Sequence, residues 1–523
     1  MGVTWEEMSP DLTRDIDAKQ GNGGGPYTNE AVGAENYGTL AYVLESPHEA
    51  GVFYTGSDDG FVHITKDNGE SWQNITPKNL GESLVNAIEV SPHDKATVYI
   101  ATTKYKFNDH TPAIYKSTDY GKTWVGINSG IPMGAFTRVV REDPLRKDLL
   151  YAGTEKGLYL SWNGGKSWKP FQLNLPKAPI TDIKIHDGDL IVATSGRAFW
   201  ILDDLRVLSE YDATQKEMKL YQPNDAMNGS WYSPMNGDIT NFDGMSTLSG
   251  VNPANGLVLY YELPKLEDST ALTMDILDAS GSIVRSFSSE KDKDYVPHNG
   301  GGPRRAPTLS KKEGLNRFVW DMRTSILPGV PGAYIEARFR GHVVPPGNYT
   351  IRLKAGTTAK TVEGKIVAMP TYSTTPEQYA EFHTFMTDAE KHLTEMHNTV
   401  NNLHKVQGQL NEVLKNVNDE AVKEEGKKLV AQLDAWDKDM IQRKSKAYDD
   451  VENFPNKFTA EYLFLIDATN STIPRVNQPS KDRKAELDAQ WSRLKAKANS
   501  FMNTAIPDFN KKLWDAGVGA IRI

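Results

Sequence analysis

Three different spacings of apolar residues follow one another along the chain. Up to about residue 205 they come in short runs bounded by Gly, Pro, Asn, Asp and Ser, the pattern of short strands separated by turns. The runs fall in groups: 38–44, 51–55, 61–66 and 71–75; then 84–90, 97–103, 113–117 and 123–127; then 137–142, 149–153, 157–161 and 167–173; and last 180–186, 189–194 and 198–203. After a connector at 208–230, alternation continues through 257–263, 272–278, 282–288, 316–323 and 347–354, with Asp278-Ala-Ser-Gly281 as a hairpin turn. Strands spaced this way over 231–371 predict an immunoglobulin-like or fibronectin-like β-sandwich. From 372 the spacing becomes helical. Tyr379, Phe382, Met386, Leu393, Met396, Val400, Leu403, Leu410 and Leu414 line one face of a helix over 377–415, with Thr375 as cap and Pro376 in its first turn. Further helices are predicted at 418–445, 458–466, 482–501 and 506–514, so 372–523 reads as a helical bundle with its Met and aromatic stripes as core.

The first three strand groups share one turn. Thr65-Lys-Asp67-Asn-Gly69-Glu-Ser-Trp72 recurs as Ser117-Thr-Asp119-Tyr-Gly121-Lys-Thr-Trp124 and as Ser161-Trp-Asn163-Gly-Gly165-Lys-Ser-Trp168. The Asp or Asn can accept from backbone N–H groups inside the turn, the Gly supplies a positive φ, and the Trp opens the outgoing strand and packs on the next unit. The tryptophans lie 52 and then 44 residues apart, counted from 72 to 124 to 168. Several short strands per unit at a period of ~40–50 residues predict β-propeller blades. Residues 1–207 therefore read as about four blades of a partial propeller. The fourth lacks the turn, which suits a closing unit. Asp67, Asp119 and Asn163 are expected to hold turns rather than catalyse. Gly21 to Pro26 reads as a flexible loop between blades.

Composition removes several function classes. The chain has 523 residues, a formal charge of −9 and no cysteine. Thiol catalysis, disulfides and Cys-ligated zinc are excluded, and the acidic balance argues against a nucleic-acid partner. No apolar run reaches the ~18 residues of a membrane span. Neither a Gly-x-Ser-x-Gly elbow nor a Walker loop occurs, and no cofactor is expected. His383, His392, His397 and His404 fall on the long predicted helix without the carboxylate placement of a closed zinc site, so they read as helix-surface residues and no metal site is expected. Trp5-Glu-Glu-Met-Ser-Pro is similar to Trp72-Gln-Asn-Ile-Thr-Pro. The sequence is thus expected to begin inside a blade, the ring being completed by an upstream segment or a partner chain; the alternative is an unusual four-unit propeller.

The recurring turn resembles the Asp-box, or BNR, repeat of sialidases, two-propeller xyloglucanases and the sortilin family, in which the box lies on the outer rim away from the active centre. With Phe136-Thr-Arg-Val-Val-Arg-Glu-Asp-Pro144, Leu150-Tyr-Ala-Gly-Thr-Glu155-Lys-Gly-Leu-Tyr159 and Gly196-Arg-Ala-Phe-Trp-Ile-Leu-Asp-Asp-Leu205, the whole chain resembles the C-terminal half of exported Bacteroidota proteins labelled BNR-repeat glycosyl hydrolase or sortilin-like. The resemblance implies a propeller fold and export, and carries over no catalytic residue.

In such a propeller the starts of the inner strands and the loops between second and third strands converge on one mouth. The residues placed there are Tyr37, Asn86, Arg138 and Asp182, with Asp58, Asp59, Lys104, Tyr105, Glu155 and Arg197 on loops. Tyr37, Asp58, Asp59, Arg138, Glu155 and Arg197 are the candidate ligand-binding residues. If the chain is an enzyme, Asp59, Glu155 and Tyr37 are the candidate catalytic groups, since a carboxylate pair serves glycoside hydrolysis and arginine forks to a carboxylate. The bland alternatives are inter-blade hydrogen bonding for Arg138, Glu155 and Arg197, and turn or calcium-binding roles for Asp58 and Asp59. Arg141, Glu142 and Asp143 read as turn contacts with the next blade. Three functions follow: an exported or cell-surface protein binding a peptide, protein or glycan; a sialidase-like or xyloglucanase-like glycoside hydrolase; and a subunit of a larger outer-membrane or secretion-associated assembly.

Overall fold

The computed structural model describes residues 4–20, 37–212, 214, 216–237, 250–298, 300–470 and 473–522; the loop expected at Gly21 to Pro26 lies outside them. The chain forms two compact units, Met1–Ala213 and most of the remainder from Thr214 onward.

The first unit is β-propeller-like. Its first antiparallel sheet is β1 (Leu40–Glu45), β2 (Phe53–Ser57), β3 (Val62–Thr65) and β4 (Gln73–Asn74). The second is β5 (Leu84–Val90), β6 (Val98–Lys104), β7 (Asp109–Ser117) and β8 (Val125–Gly126), and the third is β9 (Thr137–Glu142), β10 (Leu150–Thr154), β11 (Gly157–Ser161) and β12 (Lys169–Pro170). The fourth has three strands, β13 (Ile180–His186), β14 (Asp189–Thr194) and β15 (Phe199–Leu202), and is followed by α1 (Arg206–Glu210). Strand order in space equals strand order in sequence, so each sheet is a meander. The first strands lie side by side, β1 on β5, β5 on β9 and β9 on β13. Between sheets the apolar alternation closes dry interfaces: Tyr54, Ile64, Val85, Ile88 and Ile100 form one, and Tyr99, Ile114, Val139, Tyr151 and Leu160 belong to another.

The recurring turn has one geometry in all three copies. The hydroxyl of Thr65, Ser117 or Ser161 accepts from the N–H of Gly69, Gly121 or Gly165 and donates to Asp67, Asp119 or Asn163. The same Asp or Asn accepts from the backbone N–H of Ser71, Thr123 or Ser167, each at 2.9 Å. These glycines have φ between 84° and 95°, and a Cβ on Gly121 or Gly165 would lie 2.5 Å from Ile75 or Ile127 of the preceding sheet. The Trp at the end of each turn crosses to that sheet: Trp124 Nε1 donates to Ile75 O and Trp168 Nε1 to Ile127 O, both at 2.6 Å.

In the second unit, β16 (Lys219–Leu220), β18 (Leu257–Leu263) and β21 (Gly314–Trp320) form one sheet, numbered with β17 (Ala226–Asn228), β19 (Leu272–Leu277), β20 (Ile283–Ser288), β22 (Gly347–Ala355) and β23 (Thr358–Ala368). The other five of these make a second sheet in the order β17, β23, β22, β19, β20, and the two share a core around Leu259, Tyr261, Met274, Ile351 and Trp320. The stretch expected as a connector supplies β16 and β17, which are too short to show an alternation. β23, missed in the sequence, runs with polar residues on its outer face, and only Gly364 and Ile366 along it are buried. The C-terminal region is helical: α2 (Pro376–Val413), α3 (Glu420–Met440), α4 (Phe458–Thr469), α5 (Gln478–Ser500) and α6 (Ile506–Asp515). Thr375 and Gln378 form a reciprocal cap at the start of α2. Leu327, Val330, Ile335 and Phe339, from the irregular segment between β21 and β22, enter the same core as the helices. No helix among the described residues is long and apolar enough to cross a membrane.

Candidate functional site

Of the candidate residues, Tyr37 precedes β1 and Arg138 is the second residue of β9, while Asp58, Asp59, Glu155 and Arg197 lie on the loops between the second and third strands of their sheets. Asp58 turns back onto its own sheet, its Oδ1 accepting from Gly38 N at 3.0 Å and Thr39 N at 2.9 Å. Asp59 has no exposed surface. Its Oδ2 accepts from Arg14 N at 2.7 Å, its carbonyl from Arg14 Nε, and its Oδ1 from the Ser57 hydroxyl. The Arg14 guanidinium lies 4.3 Å from the Phe61 ring centre. Both carboxylates therefore fasten loops, and Asp59 also fastens the N-terminal segment. Tyr37 donates to Glu82 at 2.7 Å, and its phenol is pushed up by burial and by Glu82. Lys19 pairs with the same Glu82 carboxylate, its ammonium 5.1 Å from the Tyr37 ring and 5.6 Å from the Phe107 ring.

Arg138 and Glu155 come together. Arg138 Nη2 and Nε donate to Glu155 Oε2 at 2.7 and 3.1 Å, with both side chains about one-third exposed. The guanidinium lies 5.2 Å from the Phe136 ring, on which Tyr105 stacks at 5.5 Å. Tyr105 and Phe107, on one short helical turn after β6, remain exposed. The result is a strip carrying two ion pairs, Lys19–Glu82 and Arg138–Glu155, with two exposed aromatic rings from one loop. Arg197 stands apart: it is exposed, its Nη1 donates to Gly196 O at 3.2 Å, and its carbonyl accepts from Trp200. Asn86 donates to Thr137 O, an inter-sheet contact.

A second cluster was not visible in the sequence. Arg141, read there as a turn residue, reaches across the first strands of all four sheets. It donates to Tyr42 Oη at 3.1 Å, Asp182 Oδ1 at 2.9 Å and Ile183 O at 2.9 Å, and lies 3.6 Å from Glu89. Burial raises the Glu89 carboxyl to about 7 against the pull of Arg141. Only the recurrence of charged residues at otherwise apolar inner-strand positions, Glu89, Arg141 and Asp182, could have signalled this cluster. Asp143 is a true turn residue, accepting from Leu145 N and Arg146 N and from Tyr151 Oη.

The helix histidines also differ from their surface reading, except for exposed His404. His397 is buried, donates to Pro328 O at 2.6 Å, and is pushed down to about 4 by burial. His383 meets buried His342 at 2.8 Å, and His342 meets Glu390 at 3.0 Å. His392, Asp388 and Asp488 lie close enough together for a metal ion. The Lys484 ammonium, however, contacts both carboxylates, so the position of a cation is already taken. Burial opposes the charge of Lys484, but Asp388 and Asp488 outweigh it and hold its pKa up.

No family model matches the chain, and no curated protein matches it. Among solved structures it is similar to YCF48 bound to D1 peptide, at 15% identity and a TM-score of 0.25, over 34% of this chain and 54% of that one. It is similar to YCF48 from Cyanidioschyzon merolae at 17% identity and 0.26, over 44% and 68%. The GH74 xyloglucanase from Xanthomonas campestris matches at 16% identity and 0.26, over 62% and 45%. The chain thus spans about half the length of the first of these. All three are β-propeller proteins.

Proposed function

We propose that the chain is an exported or cell-surface binding protein that recognises a peptide, protein or glycan through the strip at the mouth of its sheets. The observation that carries this is how the polar groups are engaged. Asp58 and Asp59 are tied to loop N–H groups and Arg14, and Glu155 is held by Arg138, while the exposed side chains beside them are the rings of Tyr105 and Phe107. Carboxylates tied down in this way are poor acids, bases or nucleophiles, whereas rings between ion pairs suit amphipathic recognition. Tyr37, Arg138 and Glu155 frame the strip, and Asp58 and Asp59 hold it from beneath. The finer readings belong to the same proposal: the turns are BNR-type Asp-boxes of a sortilin-like family, the two sheets of the second unit are an immunoglobulin-like sandwich, and the helices are a bundle, together a docking platform.

Probing peptide and glycan arrays with the purified protein tests this. Specific binding is expected, weakened by about 1–3 kcal/mol in a Tyr105→Ala/Phe107→Ala variant. Specific hydrolysis of a xyloglucan or sialoside, abolished by Glu155→Gln, overturns it.

A further inference from the structure

In the helical region, the end of α3, the start of α4 and one face of α5 enclose a cavity of about 360 Å³. Its lining is Asp439, Lys457, Gln490, Arg493, Leu494 and Lys497. The last four are spaced three and four apart, so a single stripe of α5 supplies them. The three walls are fixed to one another by core contacts. Trp436 Nε1 of α3 donates to Leu494 O, and Thr459 Oγ1 of α4 to Met440 O, both at 3.0 Å. The volume lies at the lower end of the ~300–1,000 Å³ of small-molecule sites.

The charges around this cavity differ from those on the rest of the same helices. On α3 and α5 the other cations, Lys428 excepted, are met by carboxylates, as Lys438 is by Asp434 and Lys495 by Glu395. Lys457, Arg493 and Lys497 have no ion pair and no side-chain hydrogen bond among the described residues, although Asp439 lines the same cavity. Three like charges around one cavity repel one another and attract a counter-charge. Lys457 is also the N-cap of α4, and its side chain caps no N–H, so the uncapped start of a 12-residue helix adds its partial positive charge. The bland alternative is three solvated cations with only a salt-screened ion atmosphere.

We propose that this cavity binds a phosphate or sulfate ester of a sugar. Lys457, Arg493 and Lys497 hold the oxyanion, with Arg493 able to fork to two of its oxygens. The sugar hydroxyls donate to Asp439 and exchange hydrogen bonds with the Gln490 amide. Asp439 sets the polarity of the ligand: a carboxylate repels a second oxyanion but accepts from hydroxyls, so the ligand is anionic at one end only. The cavity belongs to the second unit and the strip of aromatic rings to the first, so either function stands without the other.

Calorimetric titration of the 523-residue chain at fixed ionic strength tests this, with glucose 6-phosphate, glucose 6-sulfate, glucose and inorganic phosphate as probes. Saturable binding of at least one ester is expected, the two ester arms telling which oxyanion the cavity takes, with inorganic phosphate bound more weakly and glucose not at all. Arg493→Gln and Lys497→Gln, both at exposed positions, should each weaken the ester by about tenfold or more, the loss of a charge-assisted hydrogen bond. Asp439→Asn should tighten inorganic phosphate and narrow the ester's advantage over it, a narrowing that loss of the hydroxyl acceptor produces and loss of charge alone does not. No saturable binding of either ester, inorganic phosphate bound as tightly as the ester, or ester binding indifferent to Arg493→Gln and Lys497→Gln overturns the proposal.

Discussion

In the sheets, what a polar side chain does at residue 67 is done again at 119 and 163, with the same partners at nearly the same distances. In the helical region the buried polar groups sit in networks made once: His342 with His383 and Glu390, His397 with Pro328, Lys484 with Asp388 and Asp488. The difference teaches where load is carried. A repeated turn divides it among equivalent units, each with its own local hydrogen bonds. A single network concentrates it, so removing one member leaves buried partners unsatisfied.

The largest expected effect tests that concentration directly. Trp436 is fully buried and donates to Leu494 O across the helical core. Trp436→Ala is expected to cost about 3–5 kcal/mol. Trp124→Ala, at a half-buried site in the sheets, should cost visibly less. Denaturant unfolding, with hydrogen exchange assigning each transition to its region, compares them. Equal losses would break the contrast.

The two regions should also respond oppositely to pH at one group each. His397 is held down to about 4 from 6.5, so the unfolded chain binds more protons between those values. Its contribution is complete above about pH 6.5 and is lost as pH falls toward 4, on the order of 3 kcal/mol in all. His397→Gln should flatten that part of the stability profile of the helical region. Glu89 is raised from 4.5 to about 7, so its contribution is complete below 4.5 and is lost as pH rises toward 7. Glu89→Gln should therefore stabilise the sheets by about 1–2 kcal/mol near pH 8 and change little near pH 4.5. A pH-independent effect of either substitution would remove titration as the cause.

This contrast also decides what could be read in the sequence. The box turns and the four strand groups were legible because each copy supported the others, and α2 because eight of the apolar residues on the expected face fall within it and are buried. The strand 257–263 was legible as a short run rich in β-branched, aromatic and aliphatic residues, and its burial alternates strictly. Contacts joining residues far apart once only left no periodic trace. Arg141 meets Tyr42 across 99 residues, and His342 meets His383 across 41. At the mouth, residue type suggested chemistry, but partners decided the role. Nothing in Asp58-Asp59 announces that Arg14 will hold the second carboxylate. Tyr105, expected on a loop, lies on the short turn after β6, and its exposed neighbour Phe107 carries no polar group that would mark it in the sequence.

The smallest expected effect is the most discriminating for the repeat. Asn163 already performs the box role in the third sheet: its Oδ1 accepts from Ser167 N, and its Nδ2 donates to the Ser167 hydroxyl at 2.9 Å. In the second sheet Asp119 instead accepts from the Thr123 hydroxyl as well as from Thr123 N. Its carboxyl is held below the usual range by those hydrogen bonds, the Thr123 hydroxyl first. A hydroxyl can donate or accept, so Asp119→Asn needs only rotation of the Thr123 hydroxyl. It should change stability by less than about 0.5 kcal/mol, whereas Asp119→Ala removes the acceptor from Thr123 N and should cost about 1 kcal/mol. Thermal unfolding of both variants at neutral pH separates them. If Asp119→Asn costs as much as the alanine, the negative charge itself is required, and the three turns are not equivalent devices.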